Sequence, residues 1–132
     1  MLNEKKILEA NDRFYAAFNS HNLDMMGMLW LGDPSAVCVH PGWQVLKGYD
    51  PIMQSWDMIF RSGGSQDIRL SDVEVVASED LGWVSCQENL YSITSSGVNL
   101  SRIYATNVYR LVGGEWKLAL HHASVTPASE AG

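Results

Sequence analysis

The side chain of this sequence best suited to moving a proton is His40, which closes an extended apolar run one step before Pro41-Gly42. Imidazole exchanges protons near neutral pH without a large pKa shift, where an aspartate in the same place would need tuning. His40 therefore reads as a candidate general base, against the alternative of a structural histidine bonded to a backbone carbonyl. Asn107 lies in an extended segment where Ile103, Ala105, Tyr109 and Leu111 alternate onto one face. An amide in such a lining is placed either to hydrogen-bond a carbonyl or enolate oxygen or to tidy the sheet. His121 and His122 are adjacent in a strand and must point to opposite faces. The apolar series Trp116, Leu118, Leu120 runs in phase with His122, which predicts His122 inside as a second oxyanion-holding group. His121 is then expected outside with Lys117 and Ala119.

The same reasoning turns Glu88 inward with Val84, Cys86 and Leu90, beside a ligand. A carboxylate there needs a partner or a raised pKa. The opposite face (Trp83, Ser85, Gln87, Asn89, Tyr91, Ile93) is also partly apolar, so the pattern leaves both phases open. Phe14, Trp30, Trp43, Trp56 and Phe60 are expected to supply apolar walls, with Trp43, after the Pro-Gly turn, nearest a ligand.

Other chemistries find no support. His40, His121 and His122 with Cys38 and Cys86 lack the short paired spacings of zinc ligands. No glycine-rich phosphate loop, dinucleotide fingerprint or nucleophile elbow occurs. The expectation is a protein that uses no metal and no cofactor. A formal charge of −6 with scattered basic residues argues against nucleic acid. No apolar run approaches the roughly 20 residues needed to cross a membrane. The N-terminus is polar and charged, without the apolar stretch of a secretory signal. Two cysteines in apolar surroundings suit a reducing cytoplasm.

The elements that must position these groups fall into two halves. Ile7, Ala10, Phe14, Ala17 and Phe18 make one helical stripe between Asn3 and Ser20. Asn22 caps a second helix carrying Met25, Met26, Met28, Leu29 and Trp30, with Gly32 as its end. Asp50 as cap and Pro51 at the first turn predict a third helix, with Ile52, Ser55, Trp56, Ile59 and Phe60 on one face and Gly63-Gly64 as its stop. Short strands are expected at Ala36–His40 and Gln44–Lys47. From Gln66 the period changes to two, in segments Gln66–Ala77, Gly82–Thr94, Asn99–Val112 and Glu115–Thr126 separated by turn residues. The 132 residues read as one α+β domain, 1–132, in which three helices cover one face of a curved, mainly antiparallel sheet. The shape expected is a cone with a central cavity.

The run from Trp30 to Trp43 (WLGDPSAVCVHPGW), followed by Leu46-Lys47-Gly48-Tyr49-Asp50-Pro51-Ile52 and Ser55-Trp56, resembles the SnoaL-like branch of the nuclear transport factor 2-like superfamily, which has a cystatin-like fold. Thr106-Asn107-Val108-Tyr109-Arg110-Leu111, Gly114-Glu115-Trp116 and His121-His122-Ala123-Ser124 fit the same branch, so the likeness covers about residues 3 to 126. It implies fold strongly and activity weakly, since the superfamily hosts isomerases, cyclases, dehydratases, hydrolases and oligomerising domains. Ketosteroid isomerase is the enzymatic relative that the resemblance brings closest. Its aspartate base before a proline matches His40, its helical Arg-Tyr pair reads Arg13-Phe14, and its second oxyanion group matches Asn107. Phe14 donates no hydrogen bond, so steroid isomerisation as such is not expected.

The expectation carried forward is a small apolar or carbonyl-bearing ligand, with proton abstraction next to the carbonyl by His40. Asn107 and His122 would hold the oxyanion. The rival expectation is a non-catalytic binding or assembly domain. A homodimer through the outer face of the sheet is expected in either case, because the outward residues Arg102, Tyr104, Thr106 and Arg110 mix polar and apolar surface.

Overall fold

The helical stripe of the first twenty residues folds as α1 (Leu2–Asn19), burying Ile7, Ala10, Phe14, Ala17 and Phe18. Asn11 and Tyr15 share that buried face, a turn apart. In this computed structural model, which describes residues 2–62 and 64–127, α2 (Leu23–Leu29) follows, capped by Asn22, whose side chain accepts from the Met25 N–H. The helix ends at Trp30 rather than Gly32, because Trp30 turns extended and bridges Leu118 of the sheet. After β1 (Val37–Val39) and β2 (Leu46–Lys47) comes α3 (Tyr49–Arg61). Its cap is Gly48, at φ 93°, and Asp50 falls in the first turn, where its charge faces the helix N-terminus. Of its predicted stop, Gly63 lies outside the described residues, while Gly64 takes φ 89°.

β3 (Ser65–Ala77), β4 (Leu81–Thr94), β5 (Gly97–Val112) and β6 (Glu115–Val125) form the meander that the period-two pattern predicts. The sheet has six strands in the order β2-β1-β6-β5-β4-β3. Only the β1–β6 pairing, Val37 to Leu120 through Val39 to His122, is parallel among these neighbours. All three helices pack on one side, and α1 lies against β3, β4 and β6. The missing side chain of Gly82 makes room for α1, since a Cβ there would stand 2.5 Å from Ile7 and 2.7 Å from the Val76 carbonyl oxygen. The concave side buries Val84, Cys86, Ile103, Ala105, Tyr109, Leu118 and Ala123 against Phe14, Trp30 and Trp56.

One irregularity decides which residues enter this core. Val108 pairs with Leu120 and Tyr109 with Leu118, so Ala119 is an extra residue on β6. Such a bulge shifts the alternation by one step. Trp116 and Leu118 face inward before it; His121 and Ala123 face inward after it, and His122 is exposed. The predicted positions of the two histidines are therefore exchanged.

Candidate functional site

The curvature of β3–β6 leaves a cavity of about 300 Å³ between the sheet and helices α1 and α3. Phe14, Phe18, Trp56, Leu90 and Ile103 make it apolar, and four side chains with chemistry reach its wall: Tyr15, His40, Glu88 and His121. Trp43, Gln66 and Ser101 complete it, and Trp43 and Ser101 are exposed.

His40 is held from both sides. Its ring packs edge-on against Trp56, with centroids 4.6 Å apart, and against Trp43 at 4.9 Å. Its Nε2 lies 2.8 Å from Ser55 Oγ. The Ser55 hydroxyl donates its proton to the Ile52 carbonyl at 2.6 Å, so Ser55 receives and His40 donates from Nε2. Nδ1 is left with a lone pair, its contact among the described residues being the Cys38 sulfur at 3.9 Å. Burial lowers the His40 pKa to about 4, so the ring is neutral at physiological pH.

Across the sheet wall runs a polar chain. The Tyr15 hydroxyl donates to Glu88 Oε2 at 2.5 Å and accepts from Asn107 Nδ2 at 3.0 Å. Asn107 Nδ2 also donates to Asn11 Oδ1, which accepts from the Tyr109 hydroxyl at 2.8 Å. With its amide nitrogen committed, Asn107 presents Oδ1 to His121 Nδ1, 2.5 Å away. Burial raises the Glu88 pKa to about 7, with the Tyr15 hydrogen bond pulling partly back. Burial lowers that of His121 to about 3, helped by the nearby His40 and His122 rings. Burial likewise pushes both thiols up, Cys86 to about 11, so neither is a thiolate nucleophile.

The placements revise several expected roles. Glu88 faces inward, since β4 pairs with its Gly82, Val84, Cys86 and Glu88 on the concave side. Asn107 is fully buried behind Tyr15 and His121, off the cavity wall, and both amide hydrogens are used within the chain. It therefore positions other groups and cannot itself hold an oxyanion. His122 is on the outer face and touches no ligand space, because of the bulge at Ala119. Phe14, Trp43 and Trp56 line the cavity; Trp30 sits behind Phe14, and Phe60 stacks on His21 beside Trp56 without reaching the cavity. Tyr15 and His121 are the residues that reading the sequence missed. The spacing Asn11, Tyr15, Phe18 on one helical face was the available signal for Tyr15.

Among the described residues no group of three or more His, Cys, Asp or Glu side chains is arranged to hold a metal, and no helix is long and apolar enough to cross a membrane.

A family profile for the SnoaL-like domain matches residues 7–129. The fold matches, with a TM-score of 0.88, a proposed dehydratase of the NTF2-like family from Streptomyces avermitilis, 32% identical over 96% of this chain and 98% of that one. It also matches a proposed calcium/calmodulin-dependent protein kinase type II association domain from Thiobacillus denitrificans, 32% identical, with a TM-score of 0.80 over 89% of this chain and 93% of that one. Among curated proteins, F-box protein SKIP8 of Arabidopsis thaliana is 26% identical over 121 residues, which are 92% of this chain and 50% of that protein. The chain thus spans about half the length of that curated relative. With its cone of three helices on a curved sheet and a profile match over nearly its whole length, the chain belongs to the SnoaL-like family of the nuclear transport factor 2-like superfamily.

Proposed function

We propose that this chain, as one domain over residues 1–132, binds a small, uncharged, carbonyl-bearing molecule and removes a proton next to the carbonyl without a cofactor. The observation that carries the reading is the pairing, on the walls of one apolar cavity, of the neutral His40, whose Nδ1 keeps its lone pair, with Glu88, whose carboxyl keeps its proton below about pH 7. Because Tyr15 donates to Oε2, the carboxyl proton of Glu88 belongs on Oε1, which has no partner among the described residues.

The steps balance with these groups alone. His40 Nδ1 takes the α-proton, the C–H electron pair moves into the carbonyl, and the oxygen that gains charge accepts the proton of Glu88 Oε1. The imidazolium gives its proton to another carbon for an isomerisation or, when the enol carbon attacks a second carbonyl, to the alkoxide so formed for a cyclisation; in both the enol O–H returns its proton to Glu88 as the carbonyl re-forms. Glu88 replaces Asn107 and His122 as the oxyanion donor, and Tyr15 orients it. The aromatic walls exclude water. The dehydratase proposed among the similar structures is compatible, since the imidazolium can protonate a β-hydroxyl so that it leaves as water while the enol O–H returns its proton to Glu88.

A second reading is favoured by the outer face of the sheet, where Trp83 and Tyr104 are each 42% exposed and Val76 pairs with Trp83. We propose that two copies pair through this face, which would hold whether or not the cavity is catalytic. The charge of −6 and the two free, buried cysteines fit a cytoplasmic protein that does not bind nucleic acid.

The cavity reading is tested by titrating 2-acetylnaphthalene against tryptophan fluorescence in the wild type and in Ser101→Trp, which plugs the cavity at its exposed rim. Binding weakened by tenfold or more in the variant supports the reading. No binding to the wild type, or equal binding to both, leaves only the assembly reading.

A further inference from the structure

The polar chain behind the sheet wall fixes more than the shape of the cavity. Its direction can be followed from Glu88. Tyr15 has one proton and gives it to Glu88, so its oxygen receives from Asn107 Nδ2. The other hydrogen of that amide goes to Asn11 Oδ1, itself fixed as an acceptor by Tyr109. Only Oδ1 of Asn107 remains for His121, so the short contact of 2.5 Å requires the proton on His121 Nδ1. His121 Nε2 then carries a lone pair. It has no hydrogen-bond partner among the described residues, although His121 lines the cavity and is only 3% exposed. An acceptor without a partner on the wall of an apolar cavity is a place for a donor.

The charge of the cavity narrows the donor's owner. Among the described residues no lysine or arginine lines it, and Glu88 brings either a neutral carboxyl or, once ionised, a negative charge. A carboxylate or phosphate would enter without a counterion and against a carboxyl group. Both histidine rings are neutral, so neither repairs that deficit.

We infer that His121 Nε2 is a ligand-binding acceptor and that the ligand is an uncharged carbonyl compound that also carries a hydroxyl group, alcoholic or phenolic. This rests on the cavity reading above and adds the second polar anchor to it. The carbonyl oxygen meets Glu88 and the hydroxyl donates to His121.

The test uses four matched probes: acetophenone, 4-hydroxyacetophenone, 4-methoxyacetophenone and 4-acetylbenzoate. Wild type is expected to bind the hydroxy ketone about tenfold more tightly than acetophenone, the worth of one well-made hydrogen bond. The methyl ether keeps the oxygen but loses the donor, so it should gain nothing, and the carboxylate should not bind. In His121→Phe the hydroxyl's advantage should fall to within about twofold, with acetophenone still bound. An unchanged advantage in that variant, or tighter binding of the carboxylate, overturns the inference. Failure of all four probes to bind folded wild type would instead overturn the cavity reading itself. Should His121→Phe not fold, ¹⁵N spectra of the wild-type imidazoles decide. His121 Nε2 must resonate as an unprotonated nitrogen and move on adding the hydroxy ketone but not the ether; a protonated Nε2 would contradict the inference.

Discussion

The two faces of β4–β6 are made by alternate residues of the same strands, yet they treat polar groups in opposite ways. On the concave face Glu88, Asn107 and His121 are buried, and each is bonded into one chain with Asn11, Tyr15 and Tyr109. On the convex face His122, Arg102 and Arg110 stand in solvent beside exposed Trp83 and Tyr104. Inside, every polar atom carries a cost unless it is paired; Asn11 Nδ2, Trp30 Nε1 and Trp56 Nε1 bear that cost within the core, and an open acceptor on the cavity wall is where a ligand can relieve it. Outside, water pairs the polar atoms, and it is the exposed rings that lack partners. The proposed function rests on unpaired polar atoms that face the cavity on one side and on unpaired apolar area on the other.

The largest stability effect expected from this contrast is at Asn107. Asn107→Ala strands His121 Nδ1–H and takes one donor each from the Tyr15 hydroxyl and from Asn11 Oδ1, which keeps Tyr109, at a cost of about 3 kcal/mol in denaturant unfolding. His122→Ala, one strand over on the convex face, should change stability by less than about 0.5 kcal/mol. Similar costs for the two would break the comparison.

The next effect is a pH dependence. The folded-state pKa of Glu88 is about 7, above its ordinary value of 4.5. The folded chain therefore binds the proton more tightly, and the stability this gives is complete below pH 4.5 and lost as pH rises through 7. Glu88→Gln cannot ionise. Its stability relative to wild type should rise by about 2 kcal/mol between pH 5 and pH 8. His40 and His121 act with the opposite sign, losing stability as pH falls below 6.5 toward their lowered values of about 4 and about 3. Both proteins keep them, so they largely cancel in the difference. A difference independent of pH would place the Glu88 carboxylate in water.

A smaller effect on fold, but a clear one on assembly, is expected outside. Trp83→Glu should raise the dimer dissociation constant about tenfold or more in sedimentation experiments, as for a buried aromatic anchor, with the circular dichroism spectrum unchanged. A monomeric wild type, or an unaffected dimer, would make the convex face mere surface.

Much of this was legible in the sequence because periodicity reports faces. The helical stripe of α1, the N-cap of α2 and the four long strands follow from spacing, whereas the inward phase of Glu88 does not, because both faces of β4 are partly apolar. What periodicity cannot report is an inserted residue. Ala119 is small and neutral to either face, so nothing in its type announces the bulge that exchanges His121 and His122. Nor does a face report depth: Asn107 shares a side with cavity residues but lies behind them. Tyr15 was hidden by its neighbour Phe14, since a helical face is wide enough to bury both.

The central claim is that His40 removes a proton next to a bound carbonyl. It is tested most directly by deuterium incorporation beside the carbonyl of 2-tetralone in D₂O, followed by NMR with wild type and His40→Gln. The account predicts exchange above the buffer rate in the wild type and a loss of about 10²- to 10⁴-fold in the variant, with binding retained. Wild-type exchange no faster than buffer, or equal exchange in His40→Gln, would contradict it.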